Sequence, residues 1–438
     1  MGSLLSWGRY PCAPQLAHTV AWRDALALAW REAAAGTGTT LGFGNGRSYG
    51  DSCLAASGEV VHMLPLDRMI AADWQTGVVR AEAGVTLGQL LVLALPRGWM
   101  LPVTPGTQFV TLGGAVANDV HGKNHHVRGT FGRHVRRFSL LRSDGSRLDC
   151  SPATEPDFFA ATVGGLGLTG LIEWVEVQLM PVASSRIDVT RIRFDNLDGF
   201  FSLSEQLDPL HEYSVAWVDC LGRGASLGRG VFMAGDHAPD GPRTLPPRRA
   251  RTVPFTMPVP LFNPLTLRAL NEAYFRRQRT RATPVAMDCD TFFYPLDAIR
   301  EWNRIYGRAG FQQYQCVIPP DAARDAVREM LDAIARSGTG SFLAVLKRCG
   351  AIESPGWLSF PREGTSLALD FPQRDASNLA LFARLDSIVR AARGRLYPAK
   401  DAHMSGEDFR AAYPRWEQVE ALRDPALLSR FWERTTRT

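Results

Sequence analysis

The stretch 105–132, PGTQFVTLGGAVANDVHGKNHHVRGTFG, constrains this chain more than any other part of it. Gly106, Gly113, Gly114, Gly122, Gly129 and Gly132 punctuate it, with Thr107, Thr111 and Asn118 among them. Glycine loses more backbone freedom on folding than any other residue, so this density implies a backbone that bends tightly or lies against a large ligand. The neighbouring hydroxyl and amide side chains can hydrogen-bond phosphate or carbonyl groups. His121, Lys123, His125 and His126 bring titratable groups to the same place. The stretch reads as a cofactor cradle running into a catalytic edge.

Two further glycine clusters share its character. GFGNGRSYGD (42–51) follows a predicted strand at 39–43, and TVGGLGLTGLI (162–172) leads into an alternating strand predicted at 172–179. A dinucleotide fold needs a helix directly behind its glycine loop. Here the run continues through Ser48, Tyr49, Gly50 and Asp51 toward a predicted strand at 60–63, which favours a nest of backbone amides around a pyrophosphate. Helix and strand signals separate the three clusters, so one extended ligand threading all of them explains the pattern better than turns do.

At 438 residues the chain exceeds what a single core usually organises, and two domains are expected. A net charge of +5, spread over scattered basic residues without a recognition motif, does not point to nucleic acid. The seven cysteines are widely spaced with no CxxC pair, which fits unpaired thiols in a reducing compartment. HGKNHH has no carboxylate at helical spacing, so a loop facing a ligand is preferred to a metal site. No signal peptide and no apolar run of membrane-spanning length is visible, and the expectation is a cytoplasmic protein, with peripheral contact at the inner membrane face left open.

Periodicity predicts helices at 22–35 and 87–95, a strand at 78–82, and a hairpin of 138–142 with 146–150 around an Asp-Gly turn. The texture changes near residue 183. Strands predicted at 186–194, 213–218, 291–294, 312–318, 342–348 and 366–371 intersperse with helices at 200–207, 297–305, 321–336 and 381–393. That pattern is α+β, an antiparallel sheet with helices on one face. Residues 236–264 read as a long mobile loop. Nine arginines and a single acid, Glu272, lie between residues 243 and 281, either a solvated basic surface or a dock for anionic lipid headgroups or a substrate phosphate.

The trio of glycine segments resembles the PCMH-type FAD-binding domain of the vanillyl-alcohol oxidase superfamily. The strings EWNRIYG, GFQQYQCVIP, LDFP and LYPAKD are similar to its decaprenylphosphoryl-ribose 2-oxidase branch. The resemblance implies a two-domain flavoprotein, with an FAD-binding domain over 1–183 and 395–438 and a substrate domain over 184–394. It implies oxidation of the 2-hydroxyl of a polyprenyl-phosphate-linked ribofuranose to a ketone by hydride transfer to flavin N5. This is the first half of a ribose-to-arabinose epimerisation serving cell-wall biosynthesis, with an NAD(P)H-dependent keto-sugar reductase as partner.

By position, the resemblance assigns cofactor contacts to Gly44, Asn45, Gly46, Arg47, Ser48, Tyr49 and Gly50, to Gly106, to Thr111, Leu112, Gly113 and Gly114, and to Ile172. Asn118, Asp119, Val120, His121 and Tyr397 would border the isoalloxazine. Lys400 would stabilise the charge that reduction places near flavin N1. His121 would polarise the substrate hydroxyl, or else only pack on the flavin. Gln313 and Gln315 alternate on a predicted strand and so share a face; both suit sugar hydroxyls, with Gln315 counted among the catalytic residues beside Lys400 and His121. Lys123, Lys347, Trp217 and Tyr49 would complete the substrate pocket, Lys347 near a phosphate and Trp217 equally well as a core aromatic. Where many relatives carry a flavin-linking histidine this chain has Arg47, so a dissociable FAD is expected. Ser366 and Ala368 replace the mycobacterial branch's Asn and Cys, and Phe293 replaces its Tyr. An alditol or aldonolactone oxidase acting on a free sugar, and a non-catalytic flavin scaffold, remain as other readings.

Overall fold

The computed structural model describes residues 4–437 apart from 248, 249, 262 and 342. Arg248 and Arg249 of the arginine run, and the first residue of the strand expected at 342–348, therefore lie outside the described residues.

Strands Leu16–Thr19, Glu59–His62 and Leu41–Phe43 form a parallel sheet with Glu59–His62 at its centre. Its apolar face receives helix Leu26–Ala34, whose Leu26, Ala29, Trp30 and Ala33 recur at helical spacing and are buried against Val61 and Leu427. An antiparallel sheet follows in the order Met69–Asp73, Val78–Glu82, Leu171–Gln178, Val135–Leu141 and Arg147–Cys150. The hairpin expected around Asp144-Gly145 is its outer pair.

Eight strands build the third sheet, all in antiparallel pairs. Their order is Arg281–Asp288, Arg186–Phe194, Gly230–His237, Tyr213–Val218, Ala344–Cys349, Gly364–Pro372, Phe311–Ile318 and Arg395–Leu396. Strand alternation divides its side chains. Tyr314, Cys316, Leu346, Leu367 and Leu369 turn to one face and join the core with Val327, Met330, Leu331 and Ile334 of helix Pro320–Ser337. Helices Leu197–Leu207 and Asp375–Ala391 pack on the same side. The other face mixes polar residues, Gln313, Gln315, Lys347 and Ser366, with Val215, Trp217, Val345 and Ala368. The α+β expectation of a sheet with helices on one face holds.

Three expectations fail locally. Residues 291–293 belong to a short helix, Cys289–Phe293, which Tyr294 caps and whose Phe292 and Phe293 are buried in the core; the strand of that region is Arg281–Asp288. Residues 297–305 are two 3₁₀ turns, Pro295–Ala298 and Trp302–Tyr306, around the two-residue strand Ile299–Arg300. Strand Gly230–His237 runs into the expected long loop, and helix Pro264–Arg277 follows it without having been foreseen.

The C-terminal segment ties both chain ends together. Trp432 is fully buried and its indole donates to Glu420 at 2.6 Å. Arg434 bridges Asp51 and Asp401, at 3.0 and 2.9 Å, so the first glycine loop is fastened to the segment carrying Lys400. Gly50 lies so close to the Asp401 carbonyl that a Cβ would stand 1.6 Å from it. Replacing Trp432 by Ala is expected to cost about 3–5 kcal/mol, the usual range for emptying a buried aromatic site. The measurement is the urea midpoint, and a loss below about 1 kcal/mol would show that this anchor is dispensable.

Candidate functional site

A cavity of ≈1020 Å³ lies between the glycine segments and the free face of the eight-stranded sheet. Its floor follows from register. Trp217 pairs with Val345, Val345 with Ala368 and Ala368 with Gln315, so one row of side chains crosses four adjacent strands. Lys347 and Ser366 form a neighbouring pair, and Gln313 stands opposite Asp370. Gln313 and Gln315 face the same side and both line the cavity.

The glycine segments make the opposite wall. Gly44 approaches Thr111 so closely that a Cβ would meet its hydroxyl at 2.7 Å, and Gly46 has a φ of +59° that disfavours any other residue. Thr111 caps the following helix by accepting from the Gly114 amide at 3.1 Å. Asn45 donates to the Phe109 carbonyl at 2.8 Å, and Arg47 stacks its guanidinium over Trp7 at 4.2 Å. Arg47 Nε, Ser52 Oγ and His121 Nδ1 belong to cavity-lining residues and are buried with no hydrogen-bond partner. A backbone kept bare of side chains, together with orphaned buried donors, is what an extended polar ligand would complete.

At the far end of this wall the titratable groups converge. His121 lies beside the stacked rings of Phe360 and Tyr397, 5.4 Å from each, and its Nε2 is 3.3 Å from the Gln315 amide. Burial, then the positive charges of Lys347, His125 and Lys400, holds this ring well below its usual range, so it is neutral at pH 7. Lys347 donates to the Gly122 carbonyl at 3.1 Å and burial pulls its ammonium down to about 8. Lys123 donates to the Phe293 carbonyl at 3.1 Å and is pulled down to about 7, by burial and then by Lys347. Lys400 stands 3.6 Å from the centre of the Tyr49 ring. Burial lowers its pKa while Asp370 opposes that shift, and burial raises Asp370 in turn. Tyr397 fixes the turn below by donating to the Asn118 carbonyl at 3.0 Å.

Most residues picked from the sequence line this cavity: Gly44, Asn45, Gly46, Arg47, Ser48, Tyr49, Gly106, Thr111, Gly113, Gly114, Asn118, Val120, His121, Lys123, Ile172, Trp217, Gln313, Gln315, Lys347, Tyr397 and Lys400. Gly50, Leu112 and Asp119 do not. Gly50 is pressed against Asp401, and Leu112 is wholly inside the core. Asp119 is consumed by structure, accepting from Ser354, Ser359 and the Gly132 amide. Trp217 does both jobs considered for it, lining the cavity and packing edge-on against Tyr274 at 4.6 Å.

Asp370 went unnoticed in the sequence reading. Its Oδ1 accepts from Gln313 at 2.6 Å, and its Oδ2 is buried without a hydrogen-bond partner. The available signal was an acid inside the apolar strand LALDFP, since unpaired acids are almost never fully buried. Asp297 was also missed; it accepts from the Gln108 amide at 2.9 Å and lines the cavity near Arg47.

Comparison with known proteins agrees with this geometry. Residues 14–151 match the family model described as an FAD binding domain. The chain is 37% identical to decaprenylphosphoryl-beta-D-ribose oxidase of Mycolicibacterium smegmatis, over 96% of this chain and 94% of that protein. It is 36% identical to an uncharacterised protein of Streptomyces coelicolor, over 77% of this chain and 95% of that one. Similarity to mouse L-gulonolactone oxidase is 29% over only 37% of each chain.

The buried lysines make a pH prediction. Lys123 and Lys347 ionise near 7 and 8 in the fold against an ordinary value of 10.5, so above those values the unfolded state binds more protons. The stability of the cofactor-stripped protein is therefore expected to rise from pH 7 to about pH 8, before thiol ionisation in the unfolded chain reverses the trend, since burial pushes Cys53, Cys150, Cys220, Cys289 and Cys316 up to about 12 in the fold. Lys123→Met/Lys347→Met should flatten that rise. A wild-type midpoint that falls across this interval would contradict the burial of these charges.

Proposed function

Because the chain belongs to the decaprenylphosphoryl-β-D-ribose oxidase family of FAD-binding oxidoreductases, we propose that it oxidises the 2-hydroxyl of a polyprenyl-phosphate-linked ribofuranose to the 2-keto sugar. The observation that carries this reading is the convergence of His121, Gln315, Lys347 and Lys400 on one cavity walled by bare glycine backbone. FAD, when bound, supplies the hydride acceptor.

The residues then divide the work. Gly44 to Ser48, Gly106, Thr111, Gly113 and Gly114 would hold the pyrophosphate and adenosine part through backbone amides and the Arg47 and Ser48 side chains. Asn118, Val120, Ile172 and Tyr397 would border the ring system. Gln313 and Gln315 hydrogen-bond sugar hydroxyls from the sheet floor. His121, held neutral, is a weak base, so it orients the reacting hydroxyl by a hydrogen bond rather than storing its proton. Burial lowers the pKa of Lys400, so its amine form takes the hydroxyl proton as hydride leaves the carbon; Lys347 offsets the negative charge building on that oxygen, and the Lys400 ammonium so formed would offset the charge that FAD gains on reduction. Lys123 and Lys347 also suit the phosphate of the lipid carrier, and Trp217 and Tyr49 wall the sugar. We place the division of labour along the chain at 1–183 with 395–438 for FAD and 184–394 for substrate. The partition of strands among the three sheets supports it, although Arg395–Leu396 pairs with the substrate-side sheet.

A keto-sugar reductase using NAD(P)H would consume the product. Among the described residues no helix is long and apolar enough to cross a membrane, so access to a lipid-linked sugar is proposed to be peripheral, at the cytoplasmic face of the inner membrane. The lactone-oxidase reading has no comparable support, because that similarity covers about a third of the chain.

Two outcomes check this reading. Lys400→Ala should slow anaerobic flavin reduction by lipid-linked ribose at least about 100-fold, the order lost with one preorganised charge-stabilising donor. Wild-type flavin bleached by free alditols and not by the lipid-linked sugar would overturn the substrate assignment. Acid precipitation should leave the flavin in the supernatant. Arg47 is no flavin-linking nucleophile, and burial pushes the thiol of Cys53, which also lines the cavity, up to about 12, where it stays protonated. A yellow pellet would disprove dissociable FAD.

A further inference from the structure

Among the described residues sixteen large hydrophobic side chains stand exposed, and eight of them fall between residues 255 and 299. Chance scattering does not concentrate half of them in so short a stretch. The segment is also folded into one surface. Arg251–Thr252 pairs in parallel with Ile299–Arg300, the Met257 amide donates to Arg304 at 3.0 Å, and the Leu261 amide donates to Ile305 at 3.1 Å. Two stretches of chain thus run side by side as a strap. Helix Pro264–Arg277 continues from it and buries only Leu267, Asn271 and Phe275. Leu265, 76% exposed, projects from this helix, and Phe255 and Val259, 61% and 66% exposed, project from the strap.

Position and charge narrow what covers this face. Leu270, Tyr274, Ile299 and Arg300 belong to the same surface, are exposed, and line the cavity, so the cavity reaches solvent here. Arg268, Arg277 and Arg279 stand exposed among the apolar side chains. An apolar helix face and strap interleaved with arginine is the composition of a surface that lies in the headgroup layer of an anionic bilayer. A protein partner would be expected to meet a drier centre with charge kept to the rim.

We propose that the 251–307 rim is a docking surface for an anionic lipid bilayer, with Phe255, Val259 and Leu265 entering the headgroup layer and the neighbouring arginines pairing with lipid phosphates. The cavity mouth then opens toward the lipid. This deepens the peripheral-contact part of the function proposed above and rests on that part alone, since vesicle binding requires no sugar substrate.

The test is co-sedimentation of the FAD-loaded full chain with vesicles of phosphatidylglycerol and phosphatidylcholine in equal parts, and with phosphatidylcholine alone. Binding to the anionic vesicles that weakens at high salt is expected. Phe255→Asp/Leu265→Asp, neither residue lining the cavity, should lower partitioning at least roughly tenfold with the flavin spectrum unchanged. Arg268→Glu/Arg277→Glu should do the same without removing an apolar group. The proposal is overturned if wild type stays in the supernatant, if either variant binds like wild type, or if sedimentation velocity shows this face joining two copies of the chain. A chain that binds vesicles yet ignores lipid-linked ribose would defeat the substrate assignment and leave the docking surface standing.

Discussion

Burying an ammonium costs several kcal/mol unless an anion answers it, and this cavity buries Lys123, Lys347 and Lys400 along one side. Asp370 answers Lys400 in part, through a carboxylate with one oxygen held by Gln313 and the other unpaired. Carbonyl oxygens of Gly122 and Phe293 accept from the other two, but a dipole offsets less than a charge. The surplus of positive potential has two consequences. It adds to burial, the larger cause, in keeping His121 neutral, and it makes the cavity complementary to anions, whether a pyrophosphate, a lipid phosphate or a charge that appears only during reaction. In the proposed reaction, binding and catalysis draw on the same three side chains.

Such a cluster has to be held by elements that do not yield. Lys347 and the two glutamines sit on interior strands of an eight-stranded sheet, where register fixes them to each other. Lys400 comes from outside regular structure. Its position depends on the Asp51–Arg434–Asp401 bridge and on the close approach of Gly50, which clamp the C-terminal segment onto the first glycine loop. The loop that would cradle a cofactor phosphate and the segment that brings the ammonium are one mechanical unit. A change at Gly50 is therefore felt at Lys400 even though Gly50 does not line the cavity.

The parts of this arrangement readable from the chain are those with a local cause. Glycine density located the cradle because its backbone is bare for a reason, and the alternation of Gln313 and Gln315 gave their common face. What escaped had non-local causes. Pro284 and the arginine before it argue against a strand in RATPVAMD, yet that strand is at the sheet edge, where proline is tolerated. TFFY carries strong strand propensity, but core packing of Phe292 and Phe293 on a short helix overrides it. Helix Pro264–Arg277 shows a weak apolar stripe because so little of it is buried. Asp370 was passed over because a carboxylate in an apolar strand has meaning only once its lysine, distant in sequence, is beside it.

The same geometry says where this chain can differ from the mycobacterial branch without losing its chemistry. Ser366 and Ala368, smaller than the Asn and Cys expected there, lie in the floor beside Lys347, Val345 and Gln315. Removing bulk from a floor changes ligand fit by about 1–3 kcal/mol per methylene-sized gap, whereas losing a buried hydrogen-bonding partner costs far more discrimination. Gln313, Gln315, His121 and the three lysines all line the cavity, so its hydrogen-bonding groups and charge are in place while its floor beside them is less bulky. Phe293 replaces a tyrosine beside Lys123 and removes a hydroxyl from that end of the cavity, leaving the Lys123 ammonium against aromatic faces at 5.3 and 5.7 Å.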